Sequence, residues 1–189
     1  TNEILHCIPV PSCIAIEIVE QCNRMNLHLN YYLNDVLYVK SRNKWSKLYY
    51  LRTGAKANPV DDLRKFDGKE PTKLQIIDTP EKIDKFTVLF EKQFGERLYV
   101  VRTQPEYIEF MNPEVSKGRA LLAVAKKLDI PRVQIVAFGD SENDRSMMEV
   151  ASFSIAMENS TDEFKALADY ITTTNHEDGV AKAIYELLL

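Results

Sequence analysis

Long apolar runs are missing from this sequence. No stretch approaches the roughly 18 consecutive apolar residues that cross a bilayer, and no signal-peptide pattern opens the chain. We therefore expect a cytoplasmic protein with no membrane partner.

Basic runs and paired cysteine motifs are also missing. The net charge is -4 with both signs intermixed, which argues against nucleic acid as a partner. The three cysteines, Cys7, Cys13 and Cys22, form neither a CxxC motif nor a set with paired histidines. We expect reduced thiols that bind no metal.

What is present is enough apolar material for a core. Hydrophobic residues make up 45% of the 189 residues, which suits one domain or two small ones. Residues 1–112 mix helices with hairpins and predict an α+β unit. The predicted elements are a strand over 3–8, a helix from Ser12, a hairpin over 28–40 that turns at Asn34-Asp35, a helix ended by Gly54, a strand over 72–78, a helix from Pro80 to Gly95 and a hairpin around Pro105.

Residues 113–189 alternate helix and strand instead, which predicts parallel βα units. The predicted elements are a helix from Lys117, a strand over 133–138, a helix from Glu142, a strand over 153–157, a helix from Thr161, a strand over 170–173 and a helix from Gly179. Such connections bring the carboxyl ends of the strands to one edge of the sheet, where ligands bind.

Asp140 stands at that edge, directly after an apolar strand and Gly139. Its carboxylate needs water, a cation or hydrogen-bond donors to offset its desolvation. The position suits a hard cation or a phosphate. Ser141 is the predicted N-cap of the next helix and Asp144 completes a capping-box pattern, so Asp144 taken alone could serve only as a cap.

Lys117 is a second unusual residue, because it opens a helix whose predicted N-cap is Ser116. A cation in a first turn opposes the helix dipole at a cost of a few tenths of a kcal/mol. A solvated lysine would tolerate that cost. The functional alternative is that the ammonium and the free N–H groups of the turn bind one anion together.

Asp78 also follows an apolar strand, which raises the question of a nucleophile. Pro80 and Glu81 mark a helix start immediately afterwards. We therefore interpret Asp78 or Thr79 as a helix cap.

Four segments together resemble the C-terminal part of a Cof-type phosphatase with a class IIB cap, a branch of the haloacid dehalogenase superfamily. They are Ser116–Gly118, Gly139–Asp144 with Met147, Ile155–Asn159 and Asn175–Val180. The resemblance implies an α/β protein: an α+β cap domain in residues 1–112, which selects the substrate, and the C-terminal part of a Rossmann-like parallel-sheet core in residues 113–189.

The resemblance also implies a chemistry for these residues. Asp140 would be a direct ligand of Mg²⁺, and Asp144 would hold a metal-bound water or Lys117. Lys117 would neutralise the phosphoryl oxygens, and Asn143 would donate a hydrogen bond to the same group. The substrate would be a small phosphorylated metabolite.

One necessary part is missing, because no apolar strand in this chain ends in Asp-x-Asp. Enzymes that this chain resembles form an aspartyl-phosphate on the first aspartate of that motif. We therefore expect the N-terminal part of the core to lie outside the chain and the 189 residues alone to be inactive.

Two alternatives remain open. The chain could be a non-catalytic fragment or assembly module that pairs with its missing N-terminal half or with itself. The complete protein could also be a phosphotransferase or phosphomutase of the same superfamily.

Overall fold

The computed structural model describes residues 4–189. The chain divides into two compact units, residues 7–114 and residues 115–189 together with 4–6. A six-stranded mixed sheet organises the first unit and a three-stranded parallel sheet the second. The predicted α/β fold class, with one α+β unit and one Rossmann-like parallel unit, is confirmed.

The 7–114 unit has one sheet with the strand order β3-β2-β1-β4-β6-β5. Its elements are α1 (Ser12–Met25), β1 (His28–Leu33), β2 (Val36–Val39), α2 (Lys44–Thr53), β3 (Asn58–Pro59), β4 (Lys73–Ile77), α3 (Pro80–Phe94), β5 (Tyr99–Gln104) and β6 (Tyr107–Met111). Every pairing is antiparallel except that of β2 with β3.

Local sequence explains the β1–β2 hairpin. Asn34 and Asp35 both adopt positive φ, 52° and 60°, which a two-residue hairpin turn of the primed type requires. Asn and Asp tolerate this region better than other residues with a side chain. Leu33 and Val36 pair directly across the turn, so the turn fixes the register of both strands.

The two faces of this sheet pack against different helices. One face packs against α1 and α3: Ile18 of α1 is fully buried in this core, and the rings of Phe90 and Phe94 of α3 contact Phe110. The other face carries α2, whose Tyr49 ring contacts Tyr32 and Tyr107. The same face also carries buried polar residues on β1 and β4, namely His28, Asn30 and Gln75.

The second unit contains a parallel sheet in the order β7-β8-β9. Its elements are α4 (Lys117–Lys127), β7 (Val136–Gly139), α5 (Arg145–Val150), β8 (Phe153–Met157), α6 (Asp162–Lys165), β9 (Tyr170–Thr172) and α7 (Gly179–Leu187). Ala137, Met148, Ala156 and Phe164 form the apolar cluster between the sheet and its helices. The carboxyl ends of the three strands therefore share one edge.

Three local predictions are wrong. Residues 4–8 of the predicted first strand pair with no described strand, and Glu3 lies outside the described residues. Residues Arg132–Gln134 form a 3-10 turn after Pro131, so β7 begins only at Val136. Ser141 does not cap its helix, because its hydroxyl lies against neighbouring side-chain oxygens instead of the N–H of Asp144.

Asp78 stabilises the start of α3, although Thr79 occupies the N-cap position. One carboxylate oxygen of Asp78 accepts the Thr79 N–H at 2.8 Å and the other accepts the Lys82 ammonium at 3.1 Å. This arrangement agrees with a supporting role at the helix start.

Two further findings concern the cysteines and the helices. Cys7, Cys13 and Cys22 are free, as predicted. Between residues 4 and 189, no helix combines the length and the apolar character needed to cross a membrane.

Candidate active site at the end of β7

Gly139 lets the end of β7 and the following turn pack closely. A Cβ at this position would lie 2.8 Å from the Phe164 ring and 2.9 Å from the Asp144 Cβ. Either distance is shorter than a Cβ tolerates, so only glycine fits. The chain then passes at once to Asp140, whose side chain is exposed at the strand end.

Asp144 connects two of the predicted site residues. The Lys117 ammonium donates to its Oδ1, and the backbone N–H of Asp140 donates to its Oδ2 at 3.1 Å. Asp144 is buried, with 6% of its surface exposed. Lys117 and Asp140 are therefore held by the two oxygens of one carboxylate.

The electrostatics of Asp144 follow from these contacts. Burial by itself would raise the pKa of the Asp144 carboxyl group, because it disfavours the charged form. The hydrogen bonds from Lys117 and from the Asp140 N–H outweigh burial and hold the pKa below its ordinary value. Asp144 is thus an anion at neutral pH.

The first turn of α4 presents Lys117 to this carboxylate. The Ser116 hydroxyl accepts the N–H of Arg119 at 3.1 Å, which confirms the predicted N-cap. The N–H of Gly118 donates to the Ser146 hydroxyl at 3.0 Å. A Cβ on Gly118 would overlap the Ser146 carbonyl oxygen, so α4 and α5 approach closely only because this residue is glycine.

Ser146 is a site residue that the sequence alone does not identify. It lies in the first turn of α5 and holds the residue next to Lys117. The sequence places Lys117 and Ser146 on different helices and contains no motif that pairs them. The only sequence signal is Gly118, whose small size permits a close helix contact.

Asn143 and Ser141 lie in the turn beside Asp140. The Ser141 hydroxyl lies 2.7 Å from Asn143 Oδ1 and 3.2 Å from Asp140 Oδ1. Glu142 is paired with Arg145 through two contacts and its pKa is lowered chiefly by that hydrogen bonding. Asp140 therefore remains the exposed carboxylate of this turn without a cationic partner among the described residues.

The other two segments of the family pattern also meet in this unit. The backbone N–H of Asn175 donates to Asn159 Oδ1 at 3.0 Å, which joins the turn after β8 to the segment after β9. The Thr172 hydroxyl donates to the Gly179 carbonyl oxygen at 2.7 Å. These bonds hold the loops at the strand ends in place.

The donor set at this edge is sparse for a metal ion. Across residues 4–189, no group of three or more His, Cys, Asp or Glu side chains lies close enough to hold a metal together. Asp140 offers a hard, exposed oxygen, the kind of ligand that Mg²⁺ takes with retained waters. Both oxygens of Asp144 are already engaged by Lys117 and the Asp140 N–H.

Sequence relatives match this chain well but are longer than the matched part. The phosphatase YwpJ of Bacillus subtilis is 35% identical over 127 residues, which cover 60% of this chain and 45% of YwpJ. A protein of Streptococcus pyogenes serotype M6 is 41% identical over 121 residues, 64% of this chain and 45% of that protein. The chain thus spans about half the length of these curated relatives.

Solved structures agree in fold. A crystal structure from Thermotoga maritima superimposes with a TM-score of 0.87 at 31% identity, covering 96% of this chain and 68% of that one. A structure described as a subclass IIB sugar phosphatase of the superfamily has a TM-score of 0.79 at 20% identity, covering 97% of this chain and 69% of that one, and supports the fold alone.

The family model described as haloacid dehalogenase-like hydrolase matches residues 1–184, nearly the whole chain. The Gly139–Asp144 turn and the Lys117 helix start lie within this match. The chain belongs to the haloacid dehalogenase-like hydrolase family, as its sequence pattern predicts.

Proposed function

We propose that the complete protein is a phosphatase that hydrolyses phosphate monoesters of small metabolites in the cytoplasm. The observation that carries the proposal is the carboxylate of Asp144, which holds the Lys117 ammonium on one oxygen and the Asp140 backbone on the other. This contact fixes a cation and an exposed carboxylate at one edge of a parallel sheet. Phosphoryl transfer needs fixed charges of this kind.

Each residue has a proposed role. Lys117 neutralises the oxygens of the phosphoryl group, and Asn143 donates a hydrogen bond to the same group. Asp144 acts as a positioning residue, because its oxygens are engaged by Lys117 and the Asp140 N–H. The nucleophilic aspartate belongs to the part of the core that this chain does not contain.

We propose Mg²⁺ as the cofactor, with Asp140 as its direct protein ligand from this chain. The exposed carboxylate fits a hard cation that keeps several waters and takes one or two carboxylates. Asp144 contributes to the same site by orienting Lys117 and the Asp140 backbone. When bound, Mg²⁺ neutralises charge on the phosphate oxygens.

The domain roles are part of the proposal. Residues 1–112 would select the substrate as a cap, and residues 113–189 would form the C-terminal part of the catalytic core. One relative, YcsE of Bacillus subtilis, is named as a phosphatase of 5-amino-6-(5-phospho-D-ribitylamino)uracil and is 41% identical over 102 residues. That name supports a phosphorylated metabolite as the class of substrate.

The test is Lys117→Ala in the full-length protein. We expect kcat/KM for an aryl phosphate to fall by roughly 10²-fold or more, because a fixed cation at the developing charge is lost. Lys126→Ala, an exposed lysine in the last turn of the same helix, is the matched control. Unchanged turnover in Lys117→Ala would refute the role of Lys117.

A second arm tests the metal. Asp140→Asn should shift the Mg²⁺ concentration needed for half-maximal activity upward, whereas Glu142→Gln should not, because Glu142 is paired with Arg145. Added acceptor sugars in the same assay distinguish hydrolysis from transfer to a hydroxyl group. Robust Mg²⁺-dependent turnover by the 189-residue chain alone would contradict the placement of the nucleophile outside it.

A further inference from the structure

The 7–114 unit contains a cavity of about 300 Å³ that the proposed phosphatase chemistry does not use. It lies between the end of α1, the start of β1, the segment that joins β2 to α2, and the end of β4. Asn43 lies in its wall, and we call it the Asn43 cavity. Its size falls at the lower end of the range for small-molecule sites.

The buried polar groups of this cavity are neutral or neutralised. His28 is held on both ring nitrogens: Nε2 donates to Asn30 Oδ1 at 3.1 Å, and Nδ1 accepts from Asn43 Nδ2 at 3.1 Å. The buried Asp78 is paired with Lys82 at 3.1 Å. The floor of the cavity therefore adds no net charge.

The rim of the cavity is positively charged. Lys40 reaches only the neutral amide oxygen of Asn23, at 3.4 Å, and Lys44 lies over the Trp45 ring at 4.4 Å. Among the described residues, neither ammonium has a carboxylate within salt-bridge distance. The lining of the Asn43 cavity contains three lysines and one aspartate and therefore carries a net charge of +2; Asp62, which is outside the lining, acts electrostatically on Lys40.

The surroundings of the cavity strengthen this positive potential. Residues 36–60 contain six lysines and arginines and no aspartate or glutamate; Arg52 among them is paired with Glu106, and Asp61 and Asp62 follow the segment directly. A second cavity on the other side of Asn43 is lined by Arg42, Lys47 and Lys56 and by no carboxylate. Charges of one sign around a concave surface concentrate ions of the opposite sign there.

Neutral hydrogen-bonding groups line the same space. Asn23, Asn26 and Ser41 all contribute to the wall of the Asn43 cavity. Within residues 4–189, the structure shows no hydrogen-bond partner for the Ser41 hydroxyl or for the Asn26 side chain. Asn26 and Ser41 are exposed, so the hydroxyl groups of a ligand would replace water as their hydrogen-bond partners.

We propose that the Asn43 cavity binds a small hydroxylated phosphate monoester. The dianionic phosphate lies between the Lys40 and Lys44 ammonium groups, and the hydroxyl groups of the ligand bond to Asn23, Asn26 and Ser41. Two lysines match the charge of one phosphate monoester, and each contact is a charge-assisted hydrogen bond. This site is separate from the residues proposed for phosphate hydrolysis and does not rest on that function.

The experiment measures binding of glycerol 3-phosphate to the full chain by isothermal titration calorimetry. A chelator and a Lys117→Gln background remove any contribution from the edge of β7. We expect saturable binding of glycerol 3-phosphate, weaker binding of inorganic phosphate and no binding of glycerol. Lys40→Gln combined with Lys44→Gln should weaken glycerol 3-phosphate binding by about tenfold or more.

The matched control is Lys85→Gln combined with Lys92→Gln. These two lysines are exposed on α3, so the double change removes the same charge from the same unit. We expect affinity like that of the parent chain. Three results would overturn the proposal: no saturable binding, equal loss in both double variants, or an unchanged affinity in Lys40→Gln/Lys44→Gln.

Discussion

His28 is a histidine whose environment favours the neutral form. Burial, the largest effect, lowers its pKa to about 4, although the bond to Asn30 and the charge of Asp78 favour protonation. Nδ1 already accepts a hydrogen bond from Asn43 Nδ2, so a proton there would face another donor. The ring thus favours a neutral tautomer in the folded state.

This geometry predicts a pH dependence of stability. The unfolded histidine titrates near pH 6.5, so below that pH the unfolded state binds the proton more readily than the folded one. The free energy of unfolding should therefore fall as the pH drops from about 6.5 to about 4, with this histidine contributing up to about 3 kcal/mol.

The measurement is urea unfolding at a series of pH values in this window. His28→Gln should flatten the dependence, even if it lowers stability at every pH. His176→Gln, at an exposed histidine, should leave the slope as in the parent chain. Equal slopes in His28→Gln and the parent chain would contradict the assignment of this dependence to His28.

At the scale of single elements, the contact between α4 and α5 decides where Lys117 points. Gly118 lies against the backbone of Ser146 and donates its N–H to the Ser146 hydroxyl. Gly118→Ala should force the helices apart and cost about 1–3 kcal/mol in the free energy of unfolding. The alanine has the better helix propensity, so a purely local effect would have the opposite sign.

Chemical denaturation checks this prediction, with Lys126→Ala as a control on the same helix. Ser146→Ala tests the hydrogen bond separately and should cost about 1 kcal/mol. In the full-length protein, Gly118→Ala should also reduce phosphatase activity, because Lys117 shifts from Asp144. If Gly118→Ala were as stable as the parent chain, α4 and α5 could move apart without a cost in the free energy of unfolding, and the prediction would be wrong.

The elements differ in how well local sequence specifies them. The β1–β2 hairpin follows from Asn34 and Asp35, and the end of α2 follows from Gly54, which has a φ of 73°. These signals act within a few residues, so sequence alone is sufficient to predict them. The 3-10 turn over Arg132–Gln134 occupies part of a stretch whose apolar, β-prone residues predict strand.

The candidate site is likewise predictable from sequence only where it depends on local patterns. Apolar periodicity locates the strand end at Asp140 and the helix start at Lys117, because both are local patterns. The roles of Ser146 and of the Asp144 oxygens depend on which helix packs beside which, and no local pattern states that. The same pattern predicts a capping box that includes Asp144, but its side chain instead accepts hydrogen bonds from Lys117 and Asp140.

At the scale of the whole molecule, the parallel sheet of residues 115–189 has an open edge. β7 pairs with β8 on one side, and no described strand pairs with it on the other. Its residues Val136 and Phe138 are apolar and only half-buried. An unpaired apolar edge strand is a template for pairing with another chain.

We therefore predict that the 189-residue chain associates with itself in a concentration-dependent way. Val136→Lys should weaken this association, because a charged side chain on an edge strand disfavours pairing with a second strand. Val88→Lys makes the same substitution at an exposed position on α3, a helix of the 7–114 unit, and should leave association unchanged. Sedimentation velocity over a range of concentrations measures both effects. A chain that stays monomeric at every concentration, or equal loss of association in the two variants, would exclude β7 as the associating edge.

If the edge instead serves to join this chain to the remainder of its own core, the full-length protein should be monomeric under conditions in which the 189-residue chain associates.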